Sequence, residues 1–428
     1  MLENTELLEN PAEYPLESER LSLFMIFLIP FIIGAVSIAA LPGANYVVVG
    51  IGAVCAAGFA IGSLRGNIVF PPETWLFSGF LMWSSLGFIV ARVLSMVATT
   101  IFTLLQLYVM VIIIIHFCTS TKAARYLLLA VLTGCFIVGL SAYLSGEYRR
   151  VAEVAFEQAS GFALNANAFS MILVYASAIV LYFFKTSKTL ILKVIFTVGI
   201  IGIALLIIAS GSRSGFISFV ILSVVWFLFS YGREVLNRPG TVIIMFIVLL
   251  FGLLILFSSL SNTTMGKRLE QMRGGGYGSA SISERRELIQ KGVFLILTHP
   301  LLGIGMSQFV VVSGYNLYSH NNYIEVFCGA GIPGGILFFS IYLVLWLRLR
   351  RLGKIVTDPK SKELVGMAKA LLIMIFISNM SVICYYDKLH WIVMAILIGW
   401  SYHFERNIKV VIETEPVDNV RTISILPY

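Results

Sequence analysis

Apolar residues run through this chain in long, nearly unbroken stretches, without the narrow stripes of a helix that has one wet face. Twelve runs can be marked, at residues 21–41, 46–64, 75–91, 95–118, 124–144, 167–184, 190–209, 215–231, 241–260, 322–347, 368–383 and 389–403. Most approach the roughly 20 residues a helix needs to cross hydrocarbon. A continuous helix satisfies its own backbone there. The pattern therefore predicts an all-α, polytopic membrane protein with about 12 transmembrane helices. The third and fourth runs are almost fused, with Arg92 marking the turn between them.

The polar stretches divide the chain into a tail at 1–20, nine helices over 21–260, a long loop at 261–321, three helices over 322–403 and a second tail at 404–428. Two connecting segments exceed a turn. One, at 145–166, carries Arg149 and Arg150; the other is the 261–321 loop. Loops this long in compact folds are either at work or disordered. In the longer one, Gly274, Gly275 and Gly276 form a hinge, and Ser281 and Glu284 have capping-box spacing. Leu288, Ile289, Val293, Phe294, Ile296 and Leu297 follow before Pro300. This reads as an amphipathic helix between the ninth and tenth spans, lying on or dipping into the outer interface.

Composition agrees. Of 428 residues, 58% are hydrophobic and 12% charged, against about 45–50% and about 25% in soluble domains. A soluble enzyme, a nucleic-acid binder and a secreted disulfide scaffold are excluded. The net charge of +8 lies largely in short loops. Putting both termini in the cytoplasm collects 19 of the 30 Lys and Arg on that side, which turns both long segments outward. Six glutamates and only Arg20 among the first 20 residues make the wrong start for a cleaved signal peptide, so the first span is expected to be retained. The five cysteines have no framework or metal spacing. With three aspartates and no Asp-x-Asp pair, the expectation is that no metal ion is held.

Against this background the informative polar residues are those placed at a cost. Arg213 sits in a turn of small residues, Ser210-Gly211-Ser212-Arg213-Ser214-Gly215, between two apolar helices. The free N–H groups and dipole of the following helix favour an anion, and a guanidinium can grip phosphate in a fork. The bland alternative is an arginine reaching to the interface. His320, in Ser319-His320-Asn321-Asn322-Tyr323, stands at a helix entrance, where one ring nitrogen can take a proton near neutral pH. Glu325 lies one turn further on, where a carboxylate can hold the imidazole tautomer. A structural histidine is the alternative. Arg285 and Arg286 open the loop helix, with a solvated charged face as their alternative, while Asn165 and Asn167 can simply cap the sixth helix. His299 reads as a helix-end residue, and His116, His390 and His403 have no evident partner.

At these residues the sequence resembles the O-antigen ligase and polymerase superfamily, integral-membrane glycosyltransferases that use undecaprenyl-diphosphate-linked glycans. The resemblance covers about residues 160–335. It rests on Gly161 with Asn165 and Asn167, the Ser-Arg-Ser-Gly at 212–215, and Arg285 ahead of His299-Pro300-Leu301-Leu302-Gly303-Ile304-Gly305. His320-Asn321 followed by Gly331-Ile332-Pro333-Gly334 matches a ligase signature, His-Asn, nine residues, then Gly-x-x-Gly. Two positions depart: Gln158 stands where many members have arginine, with Arg149 or Arg150 as substitutes, and Ile289 replaces an aromatic residue.

The resemblance implies transfer of a glycan from undecaprenyl diphosphate to an acceptor hydroxyl, lipid A core in a ligase, on the periplasmic face of the bacterial inner membrane. It casts Arg213 and Arg285 as the grip on the leaving diphosphate, metal-independent and without a cofactor, and His320 as the base. Arg286, Asn321, Asn167, Arg149, Arg150, Ser212 and Glu325 would surround the substrates. A polysaccharide polymerase of the same superfamily is the alternative, and a transporter or lipid flippase is the rival from another class. Membrane lipids are the remaining partners implied; nucleic acid is not.

Overall fold

A computed structural model describes residues 24–37, 44–64, 68–144, 166–236 and 277–414. Among them all regular structure is helical: α1 (Met25–Ser37), α2 (Ala44–Leu64), α3 (Pro72–Ser85), α4 (Leu94–Phe117), α5 (Thr121–Leu144), α6 (Ala166–Thr186), α7 (Leu190–Ala209) and α8 (Arg213–Leu236). Then come α9 (Tyr277–Thr298), the single turn α10 (Phe309–Val312), α11 (Asn322–Ile355), α12 (Pro359–Ser378) and α13 (Lys388–Thr414). Six of these, α4 to α8 and α11, are long and apolar enough to cross a membrane by length and composition. The chain is a multi-pass membrane protein. The expected span at 241–260, the tail at 1–20 and the glycines 274–276 lie outside the described residues.

Several boundaries differ from the sequence reading. The apolar run at 75–91 becomes a 14-residue α3 that continues as a 3₁₀ turn, Leu86–Ile89. Its break at 90–93 is stitched by buried Gln308, whose Oε1 accepts from the Arg92 and Val93 N–H groups and whose Nε2 donates to the Val93 carbonyl. α12 begins at Pro359, nine residues before the apolar run at 368–383. Asp358 caps it by accepting from Ser361 N at 2.8 Å, and Pro359 supplies the fixed φ of a first turn. α9 starts at Tyr277, one turn before Ser281, so the capping-box serine falls inside the helix. Growth of an existing helix is cooperative, and Ser279, Ala280 and Ser281 do not break it.

α13 is the axis of the bundle: every residue from Leu389 to Ser401 is buried, whichever face it occupies. α7 is the opposite case, with Ile207 its one buried side chain among the described residues. An apolar helix with nothing packed on most of its faces is dressed for lipid, not water. His390, which showed no partner in the sequence, is buried in α13 between two tyrosines. Its Nδ1 lies 2.7 Å from Tyr175 Oη of α6 and its Nε2 lies 2.8 Å from Tyr342 Oη of α11. Arg348 is buried too. It makes a two-pronged pair with Glu73 at the start of α3, at 2.6 and 2.9 Å, and lies 3.4 Å from Glu405 of α13.

α11 is broken where its motif lies. Gly331 has φ 69° and ψ −177°, and Pro333 follows two residues later. Proline has no N–H for the Gly329 carbonyl, so that oxygen accepts from Gly305 N at 3.1 Å. The Cys328 carbonyl accepts from Ile304 N at 2.8 Å, and Ile332 N donates to the Pro300 carbonyl at 2.8 Å. Trp83 Nε1 takes the Ala330 carbonyl at 2.9 Å. The segment after α9 thus re-enters the bundle beside α11, roughly 10 Å below Asn322 at 1.5 Å per residue. Irregular backbone at such depth is tolerated because protein satisfies it.

Candidate functional site

The α7–α8 turn is built by serines. Ser210 Oγ donates to the Ile207 carbonyl and accepts from Ser212 N. Gly211 turns the chain at φ 65°. Ser212 is the N-cap of α8: its Oγ accepts from Gly215 N at 3.1 Å and donates to Asn167 Oδ1 at 2.8 Å. Ser214 Oγ donates to the same oxygen at 3.2 Å. A Cβ on Gly215 would stand 2.2 Å from Ser170 Oγ, so glycine lets α8 press against α6. Arg213 is the first residue of the helix so anchored, and it is partly buried.

The second component is the bend before α11. His320 has φ 54°, an uncommon conformation for a residue with a Cβ. Its neighbours hold it there. Ser319 N donates to Glu325 Oε1 at 2.8 Å. Asn321 caps α11, its Oδ1 accepting from Ile324 N at 3.1 Å. Asn322 Oδ1 accepts from both Cys384 N and Tyr385 N, and Asn322 N donates to the Asn379 carbonyl at 2.7 Å. Backbone strain that is over-determined in this way is typical of functional positions.

The third component is α9. Its inner face, Leu288, Gly292 and Leu295, packs on Ile324 and Cys328 of α11. Cys328 Sγ donates to the Gly292 carbonyl at 3.2 Å. Tyr315 Oη donates to Glu287 Oε2 at 3.4 Å, tying the following loop back to the helix. Ile289, Val293, Phe294 and Leu297 are exposed on α9.

Electrostatics link the three. Burial and the neighbouring Arg213 push Arg285 below the ordinary arginine range, with Glu284 opposing. Burial and the neighbouring Arg285 hold the His320 imidazole below its ordinary value, Glu284 again opposing. Arg213, Arg285 and His320 therefore share one field at one end of the bundle, although more than a hundred residues separate the first from the last. Among the described residues, no hydrogen bond or ion pair engages either guanidinium. Two like charges in one field, only partly offset by Glu284, make a site where an anion relieves repulsion.

Other expected residues fall into place around this trio. Ser212, Asn167, Asn321 and Glu325 direct their described hydrogen bonds to the frame around Arg213 and His320. Glu325, 3% exposed, holds the Ser319 backbone and not the imidazole ring. Arg286 is exposed on α9. Arg149, Arg150 and Asn165 lie outside the described residues. The frame residues Gly303, Gly305, Gln308 and Asn322 were missed as such; the re-entrant glycines were visible only as a motif. Among the described residues no group of three His, Cys, Asp or Glu is arranged to hold a metal ion.

Comparison with known proteins bears on this region. Residues 198–339 match the family model described as O-antigen ligase. The matched stretch runs from within α7 through Arg213, α9, the re-entrant segment and His320 to beyond the kink of α11. No curated protein matches the chain.

Proposed function

We propose that the chain, whose residues 198–339 match the family model described as O-antigen ligase, transfers a glycan from undecaprenyl diphosphate to an acceptor hydroxyl at the periplasmic face of the inner membrane. The observation that carries this reading is the pairing of Arg213 with Arg285 beside a neutral-leaning His320. As the glycosyl bond breaks, negative charge grows on the departing diphosphate. Fixed guanidinium groups in a partly dry site stabilise that charge more than the ground state, which is how such sites lower a barrier. His320 accepts the proton of the attacking hydroxyl; an unprotonated imidazole is the form that can do so. Burial and Arg285 both favour that form. Direct attack inverts the anomeric centre.

Lipid A core is the acceptor in this reading, since the His320-Asn321 and Gly331–Gly334 spacing is of the ligase kind. The larger share of basic residues on the opposite side supports a cytoplasmic position for both termini. Arg213→Ala and His320→Ala, inserted normally, should each lose transfer by at least about a hundredfold, in keeping with the weight of such groups. Full activity in either variant removes its assigned role. A chelator should leave the rate unchanged. Gel analysis of lipopolysaccharide from a deletion strain separates the two family activities: lipid-linked polymer accumulates without a ligase, whereas core bearing one repeat is left without a polymerase.

A further inference from the structure

The imidazole of His390 has no part in the mechanism above, yet it lies where the two supports of the site meet. One support is α6. Asn167, in its first turn, accepts through Oδ1 from Ser212 at 2.8 Å and from Ser214 at 3.2 Å, which anchors the start of α8 on either side of Arg213. Tyr175 lies further along the same helix, about 12 Å away at 1.5 Å per residue. Its Oη meets His390 Nδ1 at 2.7 Å.

The other support is the frame of the His320 bend. His390 Nε2 meets Tyr342 Oη of α11 at 2.8 Å, and that oxygen lies 3.9 Å from Cys384 Sγ. Cys384 Sγ donates to Asn379 Oδ1 at 2.9 Å, and Cys384 N donates to Asn322 Oδ1 at 3.0 Å. Asn322 N closes the ring on the Asn379 carbonyl at 2.7 Å. Asp387 Oδ1 accepts from His390 N at 2.7 Å and seats the imidazole in the first turn of α13. The contacts run in one line from Tyr175 to Asn322.

A buried histidine with both nitrogens satisfied is ordinarily a packing residue. This one joins the helix that anchors Arg213 to the helix and loop that anchor His320. The line also has a direction. The thiol proton goes to Asn379, so Sγ is left to accept from Tyr342. Tyr342 then accepts from Nε2–H, and Nδ1 accepts from Tyr175. A neutral imidazole supplies that one donor and one acceptor.

We propose that His390 is a positioning residue that fixes the separation of Arg213 from His320 by locking α6 to α11 and the 379–387 loop. The inference rests on the function proposed above, in which a diphosphate held by Arg213 and a hydroxyl held at His320 must meet in line. A misplacement of about 1 Å there costs about a hundredfold in rate, while each substrate keeps its own contacts. The clamp therefore acts on kcat and not on KM.

Two measurements on the full chain in lipid nanodiscs test this. In the first, His390→Phe keeps a ring without either nitrogen and should lower kcat for transfer by roughly tenfold to a hundredfold. KM for the lipid-linked donor should stay within about twofold. His390→Gln returns one donor and one acceptor and should recover most of the rate. Tyr175→Phe and Tyr342→Phe should each slow transfer, and the pair should lose little more than either alone, because links in series fail once. These milder variants carry the test where His390→Phe folds poorly. A histidine that only supports the fold leaves kcat per folded molecule unchanged.

The second measurement needs no catalysis. Spin labels at Ile217→Cys of α8 and at Leu317→Cys, both exposed, read the spacing directly; the five native cysteines are buried. The distance between labels should be narrow in the parent and in His390→Gln. It should broaden or shift in His390→Phe and in both tyrosine variants. If the distances follow that order and the parent transfers no glycan, the transfer reading fails and the clamp stands. A distance that His390→Phe leaves as it was overturns the clamp. So does, in a parent that transfers glycan, an unchanged kcat per folded molecule or a loss that glutamine does not restore.

Discussion

Single residues were legible where their type was costly. Arg213 and His320 stood out because charge and imidazole are rare beside apolar spans, and both lie at one end of the bundle. What sequence could not show was direction. Glu325 has the spacing to face an imidazole, yet it turns to the Ser319 backbone, since a helix position sets where a side chain starts and not which partner wins it. The electrostatic chain yields a prediction with opposite signs. His320 is held below about 6.5, so the acidic limb of the transfer rate should fall below that pH. Arg285→Gln removes a repulsion that disfavours imidazolium, so the limb should move up in pH as the rate drops. Glu284→Gln removes an attraction, so it should move down. Rate–pH profiles in nanodiscs read both shifts, and equal movement in the two variants would contradict the coupling.

Elements were legible as helices, and their interruptions were not. Eleven of the twelve apolar runs coincide with described helices; the exception falls outside the described residues. The kink of α11 was visible only as a Gly-x-x-Gly motif containing proline. Its cause is a second segment, since Gly303 and Gly331 allow backbones to meet where a Cβ would stand 2.3 Å and 2.0 Å from a carbonyl oxygen. Gly331→Ala combines that clash with a left-handed backbone, which by itself costs about 1–3 kcal/mol. Its thermal unfolding in detergent should fall by more than that of Gly314→Ala, where φ is 85° but the space is open. Pro333→Ala returns an N–H that competes with Gly305 for the Gly329 carbonyl. Faster hydrogen exchange at Gly305 than in the wild type is the expected result.

At the scale of the molecule, polar staples in the core tie distant helices together. The Arg348–Glu73 pair joins α11 to α3, and Glu405 extends it to α13. Removing one partner strands a buried charge, so Glu73→Ala should cost about 3–5 kcal/mol, read by unfolding in detergent; replacing both residues with leucine should restore part of the loss. The His390 clamp behaves likewise. His390→Phe takes the histidine partner from both the buried Tyr175 hydroxyl and the partly buried Tyr342 hydroxyl, at about 1–3 kcal/mol for the buried one, whereas Tyr175→Phe removes only one such contact and should cost less. A larger loss from the tyrosine variant would contradict this account.

From sequence alone came the class of protein, the positions of most of the described helices and the costly residues worth attention. Each follows from local chemistry: apolar run length, turn composition and the expense of charge near lipid. Tertiary structure decided the rest. It paired Arg213 with Arg285, buried Arg348, turned Glu325 to the backbone and folded the 300–305 segment against a broken helix. Those outcomes depend on which distant backbone groups and side chains arrive at the same place, and periodicity along one chain carries no record of that.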